Sequence, residues 1–95
     1  MIGGKFNLGI IKCSPDVSTS LPEDEIQSFI ERHVSGDWGN MDTEDKLQND
    51  SYVKLGAGFI KSAYVTKDGD TIHVITVSNI TRTRTTTTIL FPHEY

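Results

Sequence analysis

Residues 59–78 read FIKSAYVTKDGDTIHVITVS, and this stretch decides the fold. Its two halves, Phe59–Thr66 and Thr71–Ser78, are rich in β-branched and aromatic side chains, which suit a pleated sheet. The residues between them, Lys67-Asp68-Gly69-Asp70, have the composition of a turn. The stretch therefore predicts a β-hairpin.

Two further strands are predicted on either side of the hairpin. Thr83–Phe91 contains a run of threonines, whose β-branched side chains favour a strand, and it extends the hairpin into a meander. Near the N-terminus, apolar residues alternate from Phe6 to Ile10, which predicts a half-buried strand over Lys5–Lys12. Pro92 ends the predicted sheet.

A first helix is predicted over Leu21–Val34. Ser20 and Glu23 form an S-x-x-E capping box at its start, and apolar residues follow at helical spacing. The preceding segment Ser14-Pro15-Asp16 is interpreted as a break in regular structure.

A second helix is predicted over Thr43–Leu55, with Asp42 or Thr43 as its cap and Gly56 just past its end. Its weak apolar stripe indicates a surface position. The connector between the helices places Trp38 between glycines, where the indole either packs against the sheet or serves as an exposed binding anchor.

These elements predict an α+β fold in which two helices pack on a three- to four-stranded antiparallel sheet, in the order β-α-α-β-β-β. A chain of 95 residues supports one hydrophobic core, so residues 1–95 are predicted to form a single domain. Cys13 is the only cysteine, which excludes an internal disulfide and a cysteine-based zinc site. The N-terminus lacks an apolar segment of signal-peptide length, and we expect a cytoplasmic protein that does not bind membranes.

Negative charge is concentrated in residues 16–50. This segment has ten acids against Arg32 and Lys46, a net charge of −8, and the whole chain has −4, so the remainder carries +4. Such a segment repels the phosphates of nucleic acids and favours encounter with basic protein surfaces. A solvated acidic surface without a partner is the alternative interpretation.

Several strings resemble one family. They are RHVSGDWG at residues 32–39, SAY at 62–64, HVIT at 73–76 and the ending TTTILFPHEY at 86–95. The chain is similar, over about residues 25–95, to small phage- and plasmid-borne proteins often labelled "plasmid-related protein". The resemblance implies a mobile genetic element in a host cell, and it implies no catalytic or binding residues.

Charge and context together predict a non-enzymatic protein that binds a basic surface of a host nucleic-acid-handling protein and inhibits host defence, as anti-CRISPR and anti-restriction proteins do. We expect no direct nucleic acid binding and no cofactor. The residues predicted to contact the partner are Glu23, Asp24, Glu25, Asp37, Trp38, Glu44 and Asp45.

Two other interpretations remain open. His33 and Asp37, four residues apart at a helix end, predict a divalent-metal site, such as zinc, in a metal-binding domain or small enzyme; the competing role for His33 is a structural cap of the helix C-terminus. The chain is either a monomer or a homodimer joined through the edge strand Phe6–Lys12.

Signatures of catalysis are absent from the sequence. It contains no glycine-rich phosphate loop, no nucleophile elbow and no H-E-x-x-H motif. Cys13 with a histidine is the only candidate nucleophile pair, and a lone cysteine is more often an apolar filler. Arg82 and Arg84 predict either a small anion site or a solvated strand face.

Overall fold

The fold is described from a computed structural model that covers residues 4–56, 58–78 and 84–94. It contains four strands, three helices and a final 3₁₀ turn, which are β1 (Ile10–Cys13), α1 (Pro15–Ser20), α2 (Glu23–Val34), α3 (Thr43–Leu55), β2 (Gly58–Val65), β3 (Thr71–Ser78), β4 (Thr85–Leu90) and the turn Pro92–Glu94. The predicted α+β class is confirmed. Arg82 and Thr83 lie outside the described residues. No helix in the part of the chain that the structure describes is long and apolar enough to cross a bilayer.

The four strands form one sheet in the order β1-β4-β3-β2. The predicted meander is confirmed, because β2 pairs with β3 and β3 with β4, both antiparallel. The prediction of a purely antiparallel sheet is wrong, because β1 runs parallel to β4 with Ile10 opposite Thr86 and Cys13 opposite Ile89. Parallel neighbours need a long crossover, and all three helices and the hairpin lie between these two strands in the sequence.

The helical region begins earlier than predicted. Ser14 accepts a hydrogen bond from the amide of Val17 and caps α1, and Pro15 occupies the first turn, where its missing N–H costs nothing. The interpretation of Ser14–Asp16 as a break was therefore wrong. The predicted capping box is also not formed, because Ser20 ends α1 and the N-cap of α2 is Pro22 without a side-chain bond.

α3 has the predicted bounds and the predicted surface position. Asp42 caps it by accepting a hydrogen bond from the amide of Asp45 at 2.9 Å. Gly56 ends it in the left-handed conformation, with φ of 73°. Asn49 is the one buried residue of α3.

The core lies between one face of the sheet, here called the inner face, and α1 and α2. The rings of Phe29 and Tyr64 stack there at 5.1 Å between centroids. Val17, Ile72 and Ile89 are completely buried around them. This packing holds α2 across β2 and β3 and leaves α3 beside the β2 edge.

The two edges of the sheet differ. The β2 edge is covered by the connector, because Asn40 donates to the carbonyl of Ala63 and Ala63 donates to the carbonyl of Trp38. The side-chain amide of Asn49 adds two further bonds, to the N–H and the carbonyl of Lys61. All four residues of β1 are exposed, and its outer edge is open within the described residues.

Candidate partner-binding surface

His33 lies in a buried network of hydroxyl groups. Its Nδ1 lies 2.6 Å from Oγ of Ser62, and its Nε2 lies 2.9 Å from Oγ1 of Thr76. Thr76 contacts Thr87 at 2.7 Å, and the hydroxyl of Thr87 donates to the carbonyl of Leu8 at 2.7 Å. The network connects α2 with three strands and with the segment that precedes β1.

The hydrogen-bond directions fix the tautomer of His33. Since Thr87 donates to Leu8, it accepts from Thr76, and Thr76 therefore accepts from Nε2 of His33. Nδ1 is left as the acceptor of the Ser62 hydroxyl proton. Burial lowers the pKa of His33 to about 4, so the ring is neutral at pH 7.

This arrangement argues against both roles that the sequence suggested for His33. The ring does not cap the helix C-terminus, because its nitrogens bond to hydroxyl groups of strands. A metal ligand needs a free ring nitrogen, and here both are occupied. One feature of the sequence indicates this network. The strands place hydroxyl residues at positions that face the core, namely Ser62, Thr76 and Thr87.

The distance between Ser62 and His33 is that of a catalytic serine and its general base, but the pair has no other feature of such a site. Both side chains have no solvent exposure, so no substrate reaches the hydroxyl. Cys13, the other candidate nucleophile, is exposed, and desolvation raises the pKa of its thiol, which disfavours the reactive thiolate.

Asp37 organises the connector rather than pointing to a ligand. Its carboxylate accepts hydrogen bonds from Nε of Arg32 at 2.7 Å and from the amide of Gly39 at 3.1 Å. The Arg32 bond holds the pKa of Asp37 below its usual value. The carbonyl of Asp37 accepts the hydroxyl of Tyr64 at 2.6 Å, and the Arg32 guanidinium lies over the Tyr64 ring.

Trp38 and Glu25 are buried, which leaves them little surface for the predicted contact with a partner. Trp38 is 4% exposed, and its indole N–H donates to Asp50 at 3.1 Å. A large aromatic contributes more to a small core than to a loop surface. Glu25 accepts the amide of Lys67 at 2.9 Å and holds the hairpin turn against α2.

The remaining predicted acids lie in the first turns of two helices. Glu23 and Asp24 begin α2, and Glu44 and Asp45 begin α3, and all four are exposed. The described residues provide no ion pair for any of them. The acids therefore lie in two groups, one at the start of each helix.

The two groups have different surroundings. α2 is anchored at Lys67 through Glu25, whereas α3 is anchored at Lys61 through Asn49. Lys61 lies within β2 and Lys67 in the turn beyond its end, and the strand from Lys61 to Val65 spans roughly 13 Å. The α3 group continues into the exposed side of its helix, where Leu47 is 62% exposed on the side opposite Asn49, one turn from Glu44.

A third set of ligand-type side chains occurs near the C-terminus. Asp16, His93 and Glu94 place ligand atoms within 4.8 Å of one another. His93 already bonds to Asp16 at 3.0 Å, and Glu94 accepts the hydroxyl of Ser14 at 2.6 Å. These bonds hold the final turn against α1. Asp16 and His93 are 77 positions apart in the sequence, so residue spacing did not predict their contact.

No protein-family model, no curated protein and no solved structure matches this chain. The resemblance to plasmid-related proteins therefore stays a prediction that rests on the quoted strings.

Proposed function

We propose that this chain is a non-enzymatic protein that binds a basic surface of a partner protein through the exposed side of α3. This α3 surface consists of Asp42, Glu44, Leu47 and Ser51, and Asp45 lies at its border, on the side of the helix that carries Asn49. The observation that carries the proposal is the exposure of Leu47 beside carboxylates on a helix whose only buried residue is Asn49. An exposed apolar side chain among charges is typical of a protein contact.

The negative charge of α3 indicates the class of protein that it binds. With its cap, α3 has four carboxylates, at Asp42, Glu44, Asp45 and Asp50, against two lysines, a net charge of −2. A negative surface speeds association with positive ones and repels phosphate backbones. The nucleic-acid channel of a host defence complex has that chemistry, which suits an anti-CRISPR or anti-restriction inhibitor made by a mobile element and acting in the host cytoplasm.

Charge reversal at the two acidic groups tests this proposal. A Glu44→Lys/Asp45→Lys variant is compared with Glu23→Lys/Asp24→Lys, which makes the same change in charge in the first turn of α2. The unmodified chain first captures its partner from host lysate, and both variants are then assayed for binding and for inhibition of nucleic-acid cleavage. We expect the α3 variant to bind at least about tenfold more weakly and the α2 variant to bind normally. Equal binding by both variants would overturn the proposal.

The metal alternative has a separate test. A site on His33 and Asp37 requires His33 to lose a hydroxyl partner and Asp37 to leave Arg32. We expect elemental analysis of the purified protein to find zinc well below one ion per chain, whereas stoichiometric zinc that depends on both residues would support the metal site.

A further inference from the structure

The face of the sheet turned away from the core, here called the outer face, has a row of three apolar residues and one threonine that crosses all four strands, here called the apolar row. The strand register places Phe59 opposite Val77, Val77 opposite Thr86, and Thr86 opposite Ile10. Paired residues point to the same side of a sheet, so these four side chains are neighbours. Phe59 and Val77 are each 48% exposed, and Ile10 is 65% exposed.

Among the described residues no helix packs across this face, although Ala63 and Ile75 in its middle are each only 7% exposed. The core residues of α1 and α2 pack with Tyr64, Ile72, Val74 and Ile89, which alternate with the outer-facing positions. α3 bonds to the β2 edge through Asn49 and does not cross the sheet. The exposed part of the outer face is therefore the apolar row itself, although sheets normally bury their apolar side chains.

Two lysines lie in the row on one side of the apolar row. The next row across the sheet consists of Lys61, Ile75, Thr88 and Lys12, with a lysine on each outer strand. His73 follows on β3, and desolvation and the charge of Lys61 both lower its pKa. No outer-facing residue of the described strands carries a carboxylate, and the one acid beside the face is Asp45 of α3, which lines a pocket with Phe59 and Lys61. The net charge of the outer face is therefore positive, whereas that of the α3 surface is negative.

We propose that the outer face binds an amphipathic helix of a partner protein, with carboxylates on one side of the helix's apolar stripe. The apolar row would receive the stripe, and the basic row would attract the carboxylates. Across the four strands the apolar row spans roughly 14 Å, which matches about ten residues of a helix that lies along the row. This contact goes beyond the proposed function, since it uses a different surface and a partner of opposite charge.

Two other occupants fit the face less well. A second copy of the chain would set the same basic side chains against each other. Single-stranded nucleic acid needs several aromatic faces on which bases stack, and apart from the His73 ring Phe59 is the one aromatic side chain on the outer face of the described strands.

Designed peptides provide the probe. One is a labelled 14-residue helical peptide with leucines at i, i+3, i+4 and i+7 and glutamates beside them, and its counterpart has lysines in place of the glutamates. Binding to the full chain is measured by NMR titration and fluorescence anisotropy. The variant Val77→Glu is compared with Leu47→Glu, which makes the same kind of change on the α3 surface. Val77→Thr keeps the β-branched shape if the glutamate variant fails to fold.

We expect the glutamate peptide to shift the amide signals of Phe59, Val77 and Thr86 and to bind at least tenfold more tightly than the lysine peptide. Val77→Glu should weaken binding at least tenfold, Val77→Thr should weaken it less, and Leu47→Glu should leave it unchanged. The proposal is overturned if the glutamate peptide does not bind, if the two peptides bind equally, or if the shifts lie on the helices. It is also overturned if a single-stranded oligonucleotide binds this face or if light scattering shows that two chains cover it. Failure here leaves the α3 result unaffected, because Leu47→Glu and Val77→Glu change different surfaces.

Discussion

Nδ1 of His33 accepts the hydroxyl proton of Ser62 over 2.6 Å, inside a core where neither side chain has any solvent exposure. A protonated ring would place a second N–H against that hydroxyl, and the Ser62 proton would then need another acceptor. The network is satisfied only when His33 is neutral. The network therefore makes the stability of the fold depend on pH, independently of the charges on the surface.

The stability of the fold should fall as the pH drops below about 6.5. The folded pKa of His33 is about 4 and the unfolded value is 6.5, so between these values the unfolded chain binds the proton and the folded chain does not. At pH 5 the expected loss in the free energy of unfolding is about 2 kcal/mol relative to pH 7.5. Urea denaturation at both pH values measures it.

A His73→Gln variant separates His33 from His73. Burial also lowers the pKa of His73, which adds loss of stability in the same direction. The loss should largely persist in His73→Gln. A flat profile in His73→Gln would assign the effect to that residue instead.

Asn49 should be the most sensitive residue of α3. Its amide satisfies both backbone groups of Lys61, and it is 3% exposed. Asn49→Ala leaves a buried N–H and carbonyl unpaired, which should cost about 2–3 kcal/mol. The exposed neighbour Gln48 is the control, and Gln48→Ala should change stability by less than about 0.5 kcal/mol in thermal denaturation. Similar losses for both variants would show that the β2 edge does not depend on Asn49.

Gly39 should not tolerate a side chain. Its φ is +68°, and an added Cβ would lie 2.0 Å from the carbonyl oxygen of Ala63. Gly69→Ala is the matched control, since its φ is +91° but no atom lies within 4 Å of the added carbon. We expect about 1 kcal/mol of loss at Gly69 from backbone strain and at least twice that at Gly39. Equal losses would mean that the connector moves freely away from β2.

The local signals in the sequence were sufficient for the hairpin and for α3. The hairpin depends on the turn Lys67–Asp70, and α3 depends on its cap at Asp42 and its end at Gly56. Each of these signals acts on residues close by in the sequence, and the structure confirms both the hairpin and α3. α1 was missed because Ser14-Pro15 was interpreted as a break, although the same pair also begins helices. The parallel pairing of β1 with β4 joins residues 76 positions apart, and no local pattern indicates it.

The candidate site was predictable only in part. The exposed acids of α2 and α3 follow from helix position, since first turns are solvated and favour carboxylates. Burial of Glu25 and Trp38 depends on Lys67 and Asp50, partners that only the folded chain brings near. The outer face could not be recognised from strand patterns alone, because alternation does not tell which side of a sheet is covered.

The chain should be a monomer at micromolar concentration. The open edge of β1 offers four residues for pairing with a second copy, roughly 13 Å of strand, which buries far less than a stable interface requires. Light scattering should give the 10.6 kDa of a single chain. Twice that mass, lost on substitution of Ile11 by proline, would instead establish the homodimer through β1.

Zero-length carbodiimide cross-linking of the captured complex tests the central claim most directly, because it joins only carboxylates and amines that are already in contact. We predict that mass spectrometry will find Glu44 or Asp45 linked to lysines of the partner. Cross-links confined to Glu23 and Asp24, or none at all from an intact complex, would contradict docking through α3.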